Sequence, residues 1–205
     1  MNYKKRSEAL YIANDQRQQI AEGVKLQYKN QLFDVSPASN MYKLTYSFKL
    51  EKKAIAKVKT CNTDLPLGYT YYIRDVSVDR PNDPPPSYST DIPNAMFEWF
   101  EMFYDTQTTY TGTEFGQFFY AKASQIGCAQ QNCKEVTGRW RNKLNELNIT
   151  FSNSNYPFVV CAYDKKLTFG KSVYKKGKKL KCPKGSKPNK KHHVCDVKGR
   201  KRMHK

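Results

Sequence analysis

The chain has 205 residues, six cysteines, and 36 lysines and arginines against 18 acidic residues, for a formal net charge of +18. That length suits one compact domain with a further segment attached, and no apolar run approaches what a membrane span requires. The even cysteine count permits three disulfides and a secreted chain. The charge is unevenly placed: residues 164–205 hold 17 lysines and arginines against Asp164 and Asp196, and they also hold His192, His193 and His204, the three histidines of the chain. The remainder is nearly balanced. No apolar stretch follows the basic start Met1-Asn-Tyr-Lys-Lys-Arg, so the sequence reads as a mature chain without a signal peptide.

In chain order, Ser7 is placed to cap a helix from about Glu8 to a stop at Gly23, with Leu10, Ile12, Ala13, Ile20 and Ala21 as its apolar positions. Residues 37–46 read as a connector. Ser47 caps a second helix to about Lys59, where Leu50, Ala54, Val58 and Cys61 share one face. Tyr69 to Ile73 alternates weakly as a strand. The run Asp83-Pro-Pro-Pro-Ser-Tyr-Ser continues neither helix nor sheet. Asn94 caps a third helix to about Tyr104, with Ala95, Trp99, Met102 and Phe103 facing inward. Phe115 to Tyr120 is an aromatic cluster.

Gln125 to Ala129 reads as a short strand. Pro157 to Tyr163 reads as a second, continuously apolar and therefore buried. Each carries a cysteine, Cys128 and Cys161, so the two can be stapled side by side. Residues 136–155 have weak periodicity and read as a loop. They include Asn148-Ile-Thr150, an N-glycosylation sequon with Asn148 as the candidate acceptor. From Lys165 hydrophobic residues nearly vanish. Such a composition buries too little apolar area to offset its ordering entropy, so an extended basic arm is expected. Cys182 and Cys195 argue for one stapled loop on it.

The run from Glu114 to Cys133, answered by Phe158-Val-Val-Cys-Ala-Tyr163, resembles the signature of the CAP superfamily: cysteine-rich secretory, venom-allergen-like and pathogenesis-related proteins. Phe115, Gln117, Ala121, Lys122, Gly127, Cys128, Cys133, Val159, Val160, Cys161 and Tyr163 match that signature. Ala13-Asn-Asp-Gln-Arg17 resembles the family's "His-Asn-x-x-Arg". Ala38-Ser-Asn-Met41 and Leu50-Glu-Lys-Lys-Ala54 with Cys61 are similar to secreted nematode members. The resemblance implies an α+β fold, the CAP three-layer α-β-α sandwich, over residues 1–164, with 165–205 as a basic C-terminal extension. It also implies the pairs Cys61–Cys133 and Cys128–Cys161, which leaves Cys182–Cys195.

The resemblance further implies a cleft with two histidines and two glutamates, and there this sequence departs. Thr63 to Thr70 offers no histidine, Tyr71 to Asp75 offers no glutamate, Met102 stands at the third-helix glutamate with Glu101 one step off, and Glu114 stands at the second histidine. A histidine-assisted nucleophile is missing from the body as well. Catalytic residues, a metal site and a cofactor are therefore not expected.

Two binding sites are candidates. Lys175, Lys176, Lys178, Lys179 and Lys181 include Gly177-Lys-Lys-Leu-Lys-Cys182, a spacing of basic residues that suits sulfated glycosaminoglycans through counterion release. Lys184-Gly185-Ser186 lies between Cys182 and Cys195. Disulfide-closed loops carrying Lys-Gly-Asp or Arg-Gly-Asp block integrins through the Asp carboxylate, which Ser186 does not supply. By resemblance to the nematode members that inhibit platelets and neutrophils, the expected function is that of a secreted, non-enzymatic protein. It would act on a host cell-surface receptor, a platelet integrin above all, with glycosaminoglycan binding as the alternative. Sequence-specific nucleic-acid binding and membrane insertion are not expected.

Overall fold

The structure, a computed structural model, describes residues 1–23, 25–28, 31–74, 91–101, 114–141, 146–151 and 156–197. Helix α1 (Tyr3–Glu22) starts earlier than a Ser7 cap would place it, because Asn2 accepts the Lys5 amide at 3.0 Å and caps the extra turn. It ends at Gly23, whose φ of 77° is the left-handed conformation that favours glycine. A two-stranded hairpin follows, β1 (Lys25–Tyr28) with β2 (Gln31–Asp34). Next come β3 (Thr45–Tyr46) and α2 (Phe48–Val58), which is capped by Ser47 as expected. Strand β4 (Tyr69–Ile73) precedes α3 (Asp91–Glu101). Asn94 sits inside α3 rather than at its cap. Pro93 is tolerated in the first turn, where an amide would lack a partner anyway. The expected inward positions Met102 and Phe103 lie outside the described residues.

Helix α4 (Glu114–Phe118) leads into β5 (Gln125–Cys133). Strands β6 (Val136–Arg141) and β7 (Glu146–Phe151) pair antiparallel, so the loop expected at 136–155 is corrected to a hairpin. The local sequence pattern is too weak to reveal this pairing, which is anchored from outside the hairpin. The anchor is reciprocal: the Thr63 amide donates to the Thr137 carbonyl at 2.9 Å, and the Thr137 amide to the Cys61 carbonyl at 3.0 Å. Strand β8 (Tyr156–Tyr163) follows, and then the hairpin of β9 (Ser186–Asn189) and β10 (Val194–Val197).

The main sheet runs β3-β5-β8-β4, with β3 parallel to β5 and the other neighbours antiparallel. Every residue of β8 is buried. Val159, Cys161 and Tyr163 enter a core shared with α1, α3 and α4, while Tyr156, Phe158, Val160 and Ala162 enter a second core under α2. Burial on both faces is why the strand reads as an unbroken apolar run. The result is the three-layer α-β-α sandwich.

Disulfides join Cys61 to Cys133, Cys128 to Cys161 and Cys182 to Cys195, the pairs the resemblance implies. Cys128 and Cys161 face one another directly in register. Beside them, a Cβ on Gly127 would lie 2.2 Å from the Glu51 amide nitrogen and 2.6 Å from the Ser47 carbonyl oxygen. Helix α2 therefore begins in direct contact with the β5 backbone, which only glycine permits.

The expectation of an extended arm from Lys165 is also corrected. Leu167, Val173, Tyr174, Val194 and Cys195 belong to the core on the α1 side. Five apolar residues scattered among lysines suffice because the segment also pairs its backbone with the body, as described next.

Candidate functional site

The exit from β8 is clamped twice. Asp164 accepts the Ser124 amide at 2.8 Å, the Ser124 hydroxyl at 2.7 Å and the Gln125 amide at 2.9 Å. Gln117 of α4 donates to the Lys165 carbonyl at 2.8 Å and accepts the Leu167 amide at 2.7 Å. Behind these contacts lies Arg17 of α1, fully buried, which donates to the carbonyls of Tyr42, Phe118, Tyr120 and Ala123 at 2.8–3.2 Å. Desolvation lowers its guanidinium pKa to about 10. One cation thus gathers the C-terminal half of α1, the 37–44 connector and the α4–β5 turn, the surfaces on which the C-terminal segment lies.

That segment wraps the connector. The Lys175 amide donates to Asn40 Oδ1 at 2.8 Å, and the Ser39 amide to the Lys175 carbonyl at 2.8 Å. The Gly177 amide reaches the Pro37 carbonyl at 2.8 Å, and the Lys181 amide the Ser39 carbonyl at 2.7 Å. With its backbone so held, the turn leaves Lys175, Lys176, Lys178, Lys179 and Lys181 exposed. The five candidate lysines are brought together on one short turn, its backbone held and the lysines exposed. The anchors Asn40, Val173 and Tyr174 escaped the sequence reading. The adjacent pair Val173-Tyr174, apolar amid lysines, was the signal available.

The second candidate is carried by the β9–β10 hairpin. The Cys195 amide donates to the Met41 carbonyl at 2.7 Å, and the Lys43 amide to the Cys195 carbonyl at 3.0 Å, so the hairpin is docked on the body. Lys184 and Gly185 are exposed on the turn that enters β9, and Gly185 takes a φ of 88°. Ser186 is half-buried and opens β9 opposite Val197. Its hydroxyl donates to the Pro183 carbonyl at 2.6 Å, a local bond that closes the turn. His192 Nδ1 lies 2.9 Å from Gln18 Oε1 of α1.

Next to the sequence positions at which the resemblance implies a cleft, Trp99 Nε1 donates to the Tyr71 carbonyl at 3.0 Å, and the Thr70 and Tyr163 hydroxyls are 3.2 Å apart. The side chains of Glu101 and Glu114, and all of Met102, lie outside the described residues. Among the described residues, no three or more His, Cys, Asp or Glu side chains gather as metal ligands, and no helix is long and apolar enough to cross a membrane. Asn148 is exposed on β7, opposite Arg139.

The model of the Cysteine-rich secretory protein family, CAP, matches residues 10–163. No curated protein matches the chain by sequence. Among solved structures, the hookworm platelet inhibitor is similar at 16% identity and a TM-score of 0.64, covering 100% of this chain and 94% of that one. NaASP2, solved with Zn2+, is similar at 20% identity and a TM-score of 0.65, covering 95% and 96%. BmVAL-1 is similar at 16% identity and a TM-score of 0.58, covering 97% and 96%. At these identities the likeness is one of fold.

Proposed function

The chain belongs to the cysteine-rich secretory protein (CAP) family, and on that premise we propose that it is a secreted, non-enzymatic binding protein that inhibits platelet aggregation and adhesion by antagonising an integrin. Proteins of this family are generally binding proteins, and the fold is similar to that of the hookworm platelet inhibitor. The observation that carries the reading is the stapled hairpin. A turn closed by Cys182–Cys195 and docked on a rigid body presents Lys184 and Gly185 to solvent at little ordering cost. Aggregation of washed platelets in the presence of the purified protein tests it. Inhibition that persists with competing heparin, and falls when Lys184 and Ser186 are replaced by Ala, is the expected result. Unimpaired aggregation would sink the reading.

A second reading rests on the wrapped lysine turn: Lys175 to Lys181 would tether the protein to sulfated glycosaminoglycan. Five exposed lysines on a fixed backbone suit a polyanion, which is bound by counterion release and with little sequence preference. Heparin affinity that falls steeply with salt, and drops when those five lysines become Ala, is the measurement for it.

A further inference from the structure

We infer that α2, on the side of the sheet away from the lysine turn, is a docking face for an anionic phospholipid surface, which it meets lying flat. The helix holds Lys49, Lys52, Lys53 and Lys57, and Lys59 follows it directly. All but half-buried Lys57 are exposed. Its single acid, Glu51, is buried and bound by Arg6 Nε and Nη2 at 2.8 and 3.0 Å, so it neutralises nothing outside. Lys49, Lys53 and Lys57 stand four residues apart in one column, where like charges repel along a helix. Lys49 lies in the first turn, where the helix dipole disfavours a cation. Nothing in the helix offsets this charge, and an external anion would.

The anion is assigned by what accompanies the lysines. Phe48 is 53% exposed, Ile55 37% and Tyr3, at the start of the neighbouring α1, 40%. Phe48 and Ile55 are two turns apart on the flank of α2 that faces α1, and the Arg6 guanidinium lies 4.8 Å from the Phe48 ring centre. Exposed Lys4 and half-buried Lys5 extend the basic face onto α1. A cavity of about 340 Å3 opens over β5, lined by Lys5, Ile55 and the run from Cys128 to Asn132 among others. A glycan chain would engage the lysines and leave the aromatic and aliphatic side chains in water. A lipid interface takes both: headgroup phosphates for the lysines, and the upper acyl region for Phe48 and Ile55. The contact is peripheral and spans nothing. It is independent of the adhesion reading, which concerns the hairpin docked on Met41, Lys43 and the C-terminal half of α1.

The test is co-sedimentation of the full chain with vesicles of phosphatidylcholine alone and of equal parts phosphatidylcholine and phosphatidylserine. Binding is expected only to the anionic vesicles. Each lysine near such a surface is worth about fivefold in affinity, so Lys52→Ala with Lys53→Ala should weaken partitioning about twentyfold. Lys178→Ala with Lys179→Ala, on the other side, should leave it within about twofold. Ile55→Ser should lower partitioning even at salt that screens the lysines. Phe48→Trp should be quenched by brominated lipid more strongly than the parent chain, whose tryptophans are Trp99 and Trp140. The assignment is overturned if the anionic vesicles bind no better than neutral ones, or if the Lys178/Lys179 pair carries the binding. It is equally overturned if Lys52→Ala/Lys53→Ala weakens heparin affinity and leaves vesicle partitioning unchanged, which would make α2 a glycan face.

Discussion

Asn40 Oδ1 accepts the Lys175 amide at 2.8 Å, joining residues 135 apart in the chain. This bond fixes the start of the lysine turn to the connector, and it uses no charge. Its removal therefore separates two effects that lysine substitutions mix, loss of charge and loss of pre-organisation.

Asn40→Ala leaves the Lys175 amide without its partner, a cost of about 1–2 kcal/mol. With every lysine still present, heparin affinity should fall about three- to tenfold, because the turn must then be ordered on binding. The slope of affinity against salt should stay unchanged, since the number of ammonium groups is the same. Titration of heparin at several salt concentrations checks both. An unchanged affinity would mean that the turn's conformation contributes nothing to polyanion binding.

Gly127→Ala should be among the most damaging single substitutions. The new Cβ would sit 2.2 Å from the Glu51 amide nitrogen and 2.6 Å from the Leu50 carbonyl carbon, both backbone atoms. Neither can move without shifting α2 off the sheet. A loss of about 3 kcal/mol or more is expected in urea unfolding. Gly170→Ala makes a control of a different kind, because nothing lies within 4 Å of its Cβ and the cost there comes from its φ of 74° alone.

Burial pushes the Tyr174 phenol up to about 12. In the unfolded chain a tyrosine ionises near pH 10. The folded state therefore holds its proton longer, and the stabilisation this gives is fully present below about pH 10 and is lost as the pH rises to about 12, up to roughly 2–3 kcal/mol. Burial shifts Tyr46 and Tyr163 in the same direction. Arg17, lowered to about 10, has the opposite sign: the unfolded chain keeps that proton longer, so this group gains stability over the same range. Urea midpoints should fall with alkaline pH, and the fall should be shallower in Tyr174→Phe. An identical pH profile for parent and variant would contradict the burial of this phenol.

The two-sided burial of β8 was legible because an eight-residue apolar strand has few other uses, and Ser47 was legible as a cap because Leu50, Ala54 and Val58 begin their period just after it. The start of α1 was not, since Asn2 and Ser7 are both competent caps and the choice falls to tertiary contacts, among them Arg6 with Glu51. The β6–β7 hairpin was missed because its anchor, Thr63 with Thr137, is long-range and leaves no local pattern. Composition misled most at the C-terminal segment. Averaged over residues 165–197, lysine hides Leu167, Val173, Tyr174 and Val194, yet their positions between backbone anchors, and not their number, decide that the segment packs. For the same reason the candidate lysines were found by type, while the connector that presents them was not. The α2 lysines went unweighed because the sequence does not show that Glu51 is turned inward.

The Cys182–Cys195 bridge closes a separation of 13 residues, and Cys195 is fully buried against Met41 and Lys43. Replacing both cysteines with Ser should cost about 3 kcal/mol from the released loop, with a further cost for a hydroxyl at the buried position. Cys182→Ala with Cys195→Val removes the bridge while keeping that position apolar, and so isolates the first effect. Strands β9 and β10 span four residues each and are marginal as an isolated pair. The hairpin should therefore loosen while Lys175 to Lys181, held by Asn40, Ser39 and Pro37, stay in place. If adhesion inhibition depends on Lys184 and Gly185, the Ala/Val variant should lose it with heparin affinity kept within about twofold. Hydrogen exchange that quickens at 186–197 but not at 175–181 would verify that the two parts uncouple. Quickening of both together would mean that the segment folds as one unit, and that neither candidate site is separable from the other.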